Sequence, residues 1–350
     1  METDGGVMVL SIIIPIYNTE GYLRRCFDSI VCNNTKEYEA ILVNDGSTDN
    51  SRKICEEFVR QYPRQFRLFN KENGGLSSAR NYGIQQKLKG NYILFLDPDD
   101  YLETGFLDRI CERLKQKGKA EIYEFGFVIH EKDRKNRVYQ PPVYVDENVP
   151  MKGEEYLRIA YTERGSYPWC TWKYIIDREF FEKTGLLFEE GRNFEDALLV
   201  PRLLLKCKRI CTIPKVEYHY TAGRTGSITQ TFSLQNELDR LYASYRGIRL
   251  FEKVKDKELK ALAQDGFSKT FYSVLPSLII EKDWEKKRIL RREILKKKGM
   301  MKYSLSWKPL LLKWIIWLFG IDVCGWLLYV RRRWMRAVAA VFLRRGIGWL

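Results

Sequence analysis

The chain has 350 residues, with 45% hydrophobic and 30% charged, which excludes a disordered chain and allows one large domain plus an appendage. The formal net charge of +15 is uneven: Lys282 to Leu350 holds 18 Lys plus Arg against 4 Asp plus Glu, an excess of +14, so the first 281 residues carry about +1. Eight scattered Cys without a Cys-x-x-Cys pair, and only two His, exclude zinc-site spacing and favour a reducing compartment.

Met1 to Val7 is short and acidic, without the charged lead, apolar stretch and cleavage site of a secretory leader, so none is expected. Val7 to Ile16 is a β-branched run read as a buried strand ended at Pro15. Tyr22 to Val31 shows helical spacing in Leu23, Cys26, Phe27 and Ile30. Glu39 to Val43 reads as a strand, with turn chemistry at Asn44-Asp45-Gly46-Ser47. Ser51 to Tyr62 is helical, Arg67 to Asn70 a third strand, Ser77 to Leu88 a helix, and Tyr92 to Leu96 a fourth strand stopped by Asp97-Pro98. Strands alternating with helices over short connections predict an α/β fold, a mostly parallel twisted sheet with helices on both faces and ligands at the strands' carboxyl ends. Beyond Asp100 the reading is a helix starting near Tyr101, a strand over Ile122 to His130, a Pro-interrupted stretch over Arg137 to Asn148, and a helix over Ala197 to Cys207. Several helices between Asn236 and Lys298 follow.

Leu96-Asp97-Pro98-Asp99-Asp100 places carboxylates at i and i+2 just past a buried strand. Hard oxygen ligands of this kind suit Mg²⁺ or Mn²⁺ beside a diphosphate; the competing reading is a solvated turn that caps the next helix. Asp45, also at a strand's carboxyl end, is either an acceptor for a ribose or base edge or an Asx-turn residue. In Asn73-Gly74-Gly75 to Ala79-Arg80-Asn81, a Gly pair opens a helix with Arg80 one turn in, which places N–H groups and a guanidinium for an anionic carrier. No Gly-x-Gly-x-x-Gly or Walker sequence occurs, which removes the main support for NAD binding and P-loop ATP hydrolysis.

Four motifs in order, Ser11 to Asn18, Val43 to Asp49, Asn73-Gly74-Gly75 with Ala79-Arg80-Asn81, and Leu96 to Asp100, resemble glycosyltransferase family 2, and the likeness extends over about Val7 to Thr229. The resemblance implies a GT-A fold, a nucleotide-diphosphate sugar donor, Mn²⁺ or Mg²⁺ on Asp97 and Asp99, and inversion at the anomeric carbon. It gives Asn193-Phe194-Glu195-Asp196 a role: Asp196 as the base, ionised at an ordinary pKa of about 3.9, and Glu195 as its orienting neighbour. Without the resemblance, two acids in a helix's first turn read as dipole partners. The resemblance further implies that Pro15, Tyr17, Asn18, Glu20 and Asp45 frame the nucleotide, that Asp97 and Arg80 contact the donor, and that Arg224 faces the diphosphate. Trp172 and Lys173 match a position on the acceptor side, and His219 belongs to a closing loop.

Pro309 to Val330 is a 22-residue stretch charged only at Lys313 and Asp322, flanked by cations and interspersed with Trp. This composition suits a bilayer interface first, a span second and a soluble hairpin third; uncharged runs between the cations argue against nucleic acid. The expected division is a GT-A catalytic domain over 1–230, a helical extension over 231–300 and a membrane-associating tail over 301–350. The expected function is transfer of a sugar, with UDP as carrier, to a glycan or lipid-linked oligosaccharide at the cytoplasmic face of a bacterial inner membrane. A catalytically silent scaffold of the same fold and a nucleotidyltransferase are the alternatives.

Overall fold

The computed structural model describes residues 8–115, 120–131, 135–146, 148–165, 167–223, 232–305 and 307–344. Strand β1 (Leu10–Ile16) is buried at every position, as its β-branched run requires. It continues through Pro15, which lies past the last β1–β4 pair, Ile13–Phe95, where a missing N–H is tolerated. Helix α1 (Glu20–Val31), β2 (Tyr38–Asp45), α2 (Ser51–Gln61), β3 (Phe66–Lys71), α3 (Leu76–Ile84) and β4 (Tyr92–Phe95) follow, with β1 paired in parallel to β2 and β4, and β2 to β3. Ile12, Ile14 and Ile16 pack with Leu23, Phe27 and Phe58 from α1 and α2. On the opposite face α3 approaches so closely that a Cβ at Gly83 would lie 2.6 Å from Ile13 Cγ2. Period-2 alternation in a buried strand thus puts helices on both faces.

The second half of this unit is mixed. After β4 come β5 (Tyr101–Leu102), α4 (Phe106–Lys115), β6 (Ile122–Glu131), β7 (Arg137–Tyr139), α5 (Gly153–Arg164), β8 (Tyr174–Asp177), α6 (Arg178–Thr184), α7 (Asp196–Lys206) and β9 (Ile210–Ala222). The sheet runs β3-β2-β1-β4-β8-β6-β9-β5, with β7 on β6. β8 pairs antiparallel to β4 and β6, β5 to β9 and β7 to β6, whereas β6 and β9 are parallel. The helix expected near Tyr101 begins only at Phe106, because Tyr101 and Leu102 are drawn into the sheet by His219 and Tyr218. Helix α3 stops at Ile84, short of Leu88.

The chain divides into two units, Met1–Ser227 and Ile228–Leu350. The second takes together the segments 231–300 and 301–350 and contains α8 (Leu234–Phe251), α9 (Lys257–Val274), α10 (Ser277–Ile280), α11 (Trp284–Lys296) and α12 (Trp307–Arg344). Ser233, Asp256 and Asp283 cap α8, α9 and α11 through their side-chain oxygens.

Candidate functional site

The carboxyl ends of β1, β2 and β4 bring the motifs to one edge of the first unit. The centre is Arg80 on α3, 1% exposed. Its Nη1 donates to Glu195 Oε1 at 2.6 Å and to Asp196 Oδ1 at 3.1 Å, and its Nη2 to Asp97 Oδ1 at 2.8 Å. One guanidinium therefore joins the acid after β4 to the two acids opening α7. Burial acts to strip the Arg80 charge, but the carboxylates of Asp196, Asp97 and Glu195 outweigh it and hold the group above its ordinary value. Its Cζ lies 5.1 Å from the centroid of the Phe188 ring. Asn81 secures that ring's backbone, donating to Phe188 O and accepting from Phe188 N, each at 2.9 Å.

Both terminal nitrogens of Arg80, expected to contact the donor, are bonded to carboxylates, while its buried Nε–H has no partner among the described residues. The Gly pair is committed as well. Asp45 accepts from Gly74 N at 3.0 Å, Gly75 N at 2.8 Å and Lys71 Nζ at 2.5 Å, so its buried carboxylate ties down the loop that precedes α3. Gly75 holds φ 85°, a conformation open to glycine.

Asp196 is held by a second partner that sequence reasoning missed. Thr171 donates its hydroxyl to Asp196 Oδ1 and its N–H to Oδ2 at 3.2 Å. Burial raises the Asp196 pKa against the opposing pull of Arg80 and Thr171, so the ordinary carboxylate value expected from the sequence does not hold. Glu195, buried beside Asp196, is pushed up to about 7 by burial and by that neighbouring charge. Phe194, just before them, has φ 62°, a strained conformation for a bulky residue that turns the chain into α7.

The acidic triplet divides by role. Asp100 is fully buried, accepting from Tyr218 Oη at 2.6 Å and Thr221 N at 2.7 Å; burial and the charges of Asp99 and Asp97 push it well above the carboxylate range. Tyr218 Oη also accepts from Asp97 N at 3.2 Å. Asp97 and Asp99 are partly exposed. Arg25 on α1 donates to Asp99 O and Thr221 Oγ1, both at 2.8 Å, and lies 4.6 Å over Tyr101. Among the described residues no three His, Cys, Asp or Glu form a metal cage. Asp97 and Asp99 still fit Mg²⁺ or Mn²⁺, which bind one or two carboxylates and complete their shells with water and phosphate. Three carboxylates on one guanidinium also leave a local negative excess that suits a divalent cation.

Tyr17, Asn18 and Glu20 are exposed beyond β1, with Asn18 at φ 49° and its Oδ1 accepting from Thr48 N at 2.8 Å. Glu20 accepts from Asn50 N at 2.8 Å. Arg224 lies outside the described residues. Trp172 and Lys173, matched to the acceptor side, are both buried. Trp172 stacks on Tyr218 at 4.3 Å, and Lys173 is fully buried on Glu124 at 3.0 Å, 3.9 Å from the Tyr167 ring. His219 Nδ1 meets His130 Nε2 at 2.9 Å, its Nε2 meets Glu103 at 2.8 Å, and Tyr101 stacks on it at 4.3 Å.

A mixed sheet flanked by helices, with acids at the strand ends, defines a protein of the GT-A fold. The family model described as glycosyl transferase family 2 matches residues 11–183, and the chain belongs to that family. The Bacillus subtilis (strain 168) protein named uncharacterized glycosyltransferase EpsJ is 36% identical over 190 residues, 54% of this chain and 54% of its own. The B. subtilis minor teichoic acid biosynthesis protein GgaB is 47% identical over 232 residues, 62% of this chain and 23% of its own. The match thus spans about half of the first relative and less of the second. The crystal structure of S. aureus TarS 1–349 in complex with UDP-GlcNAc superposes with a TM-score of 0.67 at 16% identity, covering 91% of this chain and 90% of that one, a likeness of fold.

Proposed function

We propose that the chain is an inverting glycosyltransferase that moves a sugar from a nucleotide diphosphate to an acceptor hydroxyl. One observation carries this reading: the Arg80 guanidinium gathers Asp97, from the end of β4, and Asp196, from the start of α7, into one cluster. In family 2 these are the positions of a metal-side acid and a base. Asp97 and Asp99 would hold a divalent ion, which when bound neutralises charge on the departing diphosphate. Asp196 takes the proton of the acceptor hydroxyl. The acceptor oxygen then bonds to the anomeric carbon on the face opposite the breaking C–O bond, and the nucleoside diphosphate leaves.

Three hydrogen bonds hold Asp196 and leave acceptor capacity on Oδ2, since an ionised carboxylate offers about four lone-pair sites. Its raised pKa makes it a stronger base than a solvated Asp. Glu195 is a positioning residue through Arg80. Pro15, Tyr17, Asn18, Glu20 and Asp45 are proposed to frame the nucleotide. Arg224 is proposed to face the diphosphate.

UDP is the proposed carrier, by likeness to TarS, whose complex holds UDP-GlcNAc. The name of GgaB supports a cell-surface polymer as the product class. We take the acceptor to be a lipid-linked glycan at the cytoplasmic face of a bacterial membrane, reached through the basic, Trp-rich tail.

The test is release of nucleoside diphosphate from a panel of UDP-, GDP- and dTDP-sugars, with Mn²⁺ or with chelator, in mild detergent. One donor should react, and chelator and Asp99→Ala should abolish release. Asp196→Asn should lower turnover by about 10²- to 10⁴-fold. No metal-dependent nucleotide binding in the same samples would overturn the enzymatic reading.

A further inference from the structure

The tail is long enough in total to cross a membrane: Leu311–Met335 has 25 residues, and an 18-residue window within it has a mean hydropathy of 1.7. A continuous helix of that length would measure about 37 Å against a hydrocarbon core of about 30 Å. The helix is not continuous. Gly320 has φ 82° and ψ 173°, a conformation essentially confined to glycine, and it divides α12 into Trp307–Phe319 and Ile321–Arg344. Leu311 to Phe319 then measures about 14 Å and Ile321 to Val330 about 15 Å before Arg331 to Arg333, so neither apolar piece spans a bilayer.

The second half is also docked along one face. Ile321 and Cys324 are buried, and a Cβ at Gly325 would lie 2.6 Å from Leu275 O. Asp322 pairs with Arg291 of α11 at 3.1 Å, and Arg332 donates to Ser273 O at 3.0 Å. Helix α11 carries exposed charges at Arg288, Arg291 and Lys296, so it cannot follow α12 into hydrocarbon. The opposite stripe of the second half, Val323, Trp326, Leu327, Val330 and Trp334, is exposed at helical spacing. In the first half no residue from 311 to 320 is buried, and Trp317 is 75% exposed. Apolar surface of that extent, edged by Lys313 and Arg331 to Arg333 within a segment of net +14, fits a surface that is apolar beneath and anionic on top.

We infer that α12 is an in-plane anchor: broken at Gly320, it lies in the interface of one leaflet, with Trp and Leu in the acyl boundary and the cations on anionic headgroups. This rests on the membrane-surface location proposed above but not on glycosyl transfer.

The full chain, exchanged from detergent, is floated with preformed vesicles of phosphatidylcholine alone or mixed with phosphatidylglycerol. Binding should require phosphatidylglycerol and fall by an order of magnitude or more as salt is raised. Trp fluorescence of bound protein should be quenched more by lipid brominated at carbons 6 and 7 than at carbons 11 and 12. A variant carrying Trp314→Ser, Trp317→Ser, Trp326→Ser and Trp334→Ser should keep nucleoside diphosphate release in detergent and lose flotation. Stronger quenching by the deep bromines would mean a span and overturn the inference. Failure to float with either vesicle also overturns it, and a stable dimer in those samples would name a second copy as the occupant. Diphosphate release without flotation leaves the catalytic reading standing, and flotation without release leaves the anchor standing.

Discussion

At the scale of single residues, Arg80 decides the arrangement of the site. Removing it would leave Asp97, Glu195 and Asp196 crowded without their shared cation. Arg80→Ala should therefore cost about 3–5 kcal/mol of stability by denaturant unfolding. Arg80→Lys should recover only part of it, because an ammonium cannot place two nitrogens on three carboxylates in a fixed fork. The motif around Arg80 was legible in the sequence; its partners were not, since Glu195 and Asp196 lie 115 and 116 positions away. Thr171 carried no signal of its own, because a threonine between two tryptophans reads as core.

His130 gives a pH prediction of defined sign. Burial and then the charge of His219 depress its pKa below the ordinary 6.5, so the folded chain favours the neutral ring. Below pH 6.5 the unfolded chain binds the proton first, and the stability this group contributes is lost as pH falls towards the folded value. Glu195, with a raised pKa, titrates in the opposite sense over the same range, so the comparison must be between variants. The thermal midpoint of wild type relative to His130→Gln should fall as pH drops from 7.5 to 5.

At the scale of elements, β1, β2 and β4 were readable because buried parallel strands are largely apolar runs bounded by turn residues, whereas β3, at the sheet edge, is only half-buried. β9 was not readable: Pro214, Lys215 and Glu217 interrupt its apolar pattern, and only pairing with β6, with its register shift around Gly126, makes it a strand. The short β5 was concealed for the same reason, being specified by Tyr218 and His219 across the sheet rather than by its own two residues. Helix packing sets a sharper limit at Gly153, the first residue of α5. A Cβ there would lie 1.9 Å from Leu204 O at the end of α7. Gly153→Ala must push α5 away from α7, and a loss of about 1–3 kcal/mol is expected in the same unfolding measurement. Because α7 begins at Asp196, diphosphate release should fall with it.

At the scale of the molecule, the eight cysteines are free, and most are buried in apolar surroundings. No covalent staple contributes, so the thermal midpoint should be the same with and without dithiothreitol. A lower midpoint under reductant would contradict this. The basic tail read from composition lies within the second unit, Ile228–Leu350, whose helices are fixed by their own caps and by contacts among α8 to α12.

The sequence by itself determined what depends on neighbours along the chain: the buried strands of the parallel half, the turn chemistry at their ends, the acids that follow them, and the charge and apolar content of the tail. Only the tertiary structure decided what depends on residues distant in the chain. It joined Arg80 to three carboxylates from separate elements, and made Asp45 the anchor of the Gly74-Gly75 loop. It buried Trp172 and Lys173, and it broke α12 at Gly320. The reason is physical: periodicity records which face of an element avoids water, whereas the partner of a buried charge is chosen by geometry assembled from separate elements.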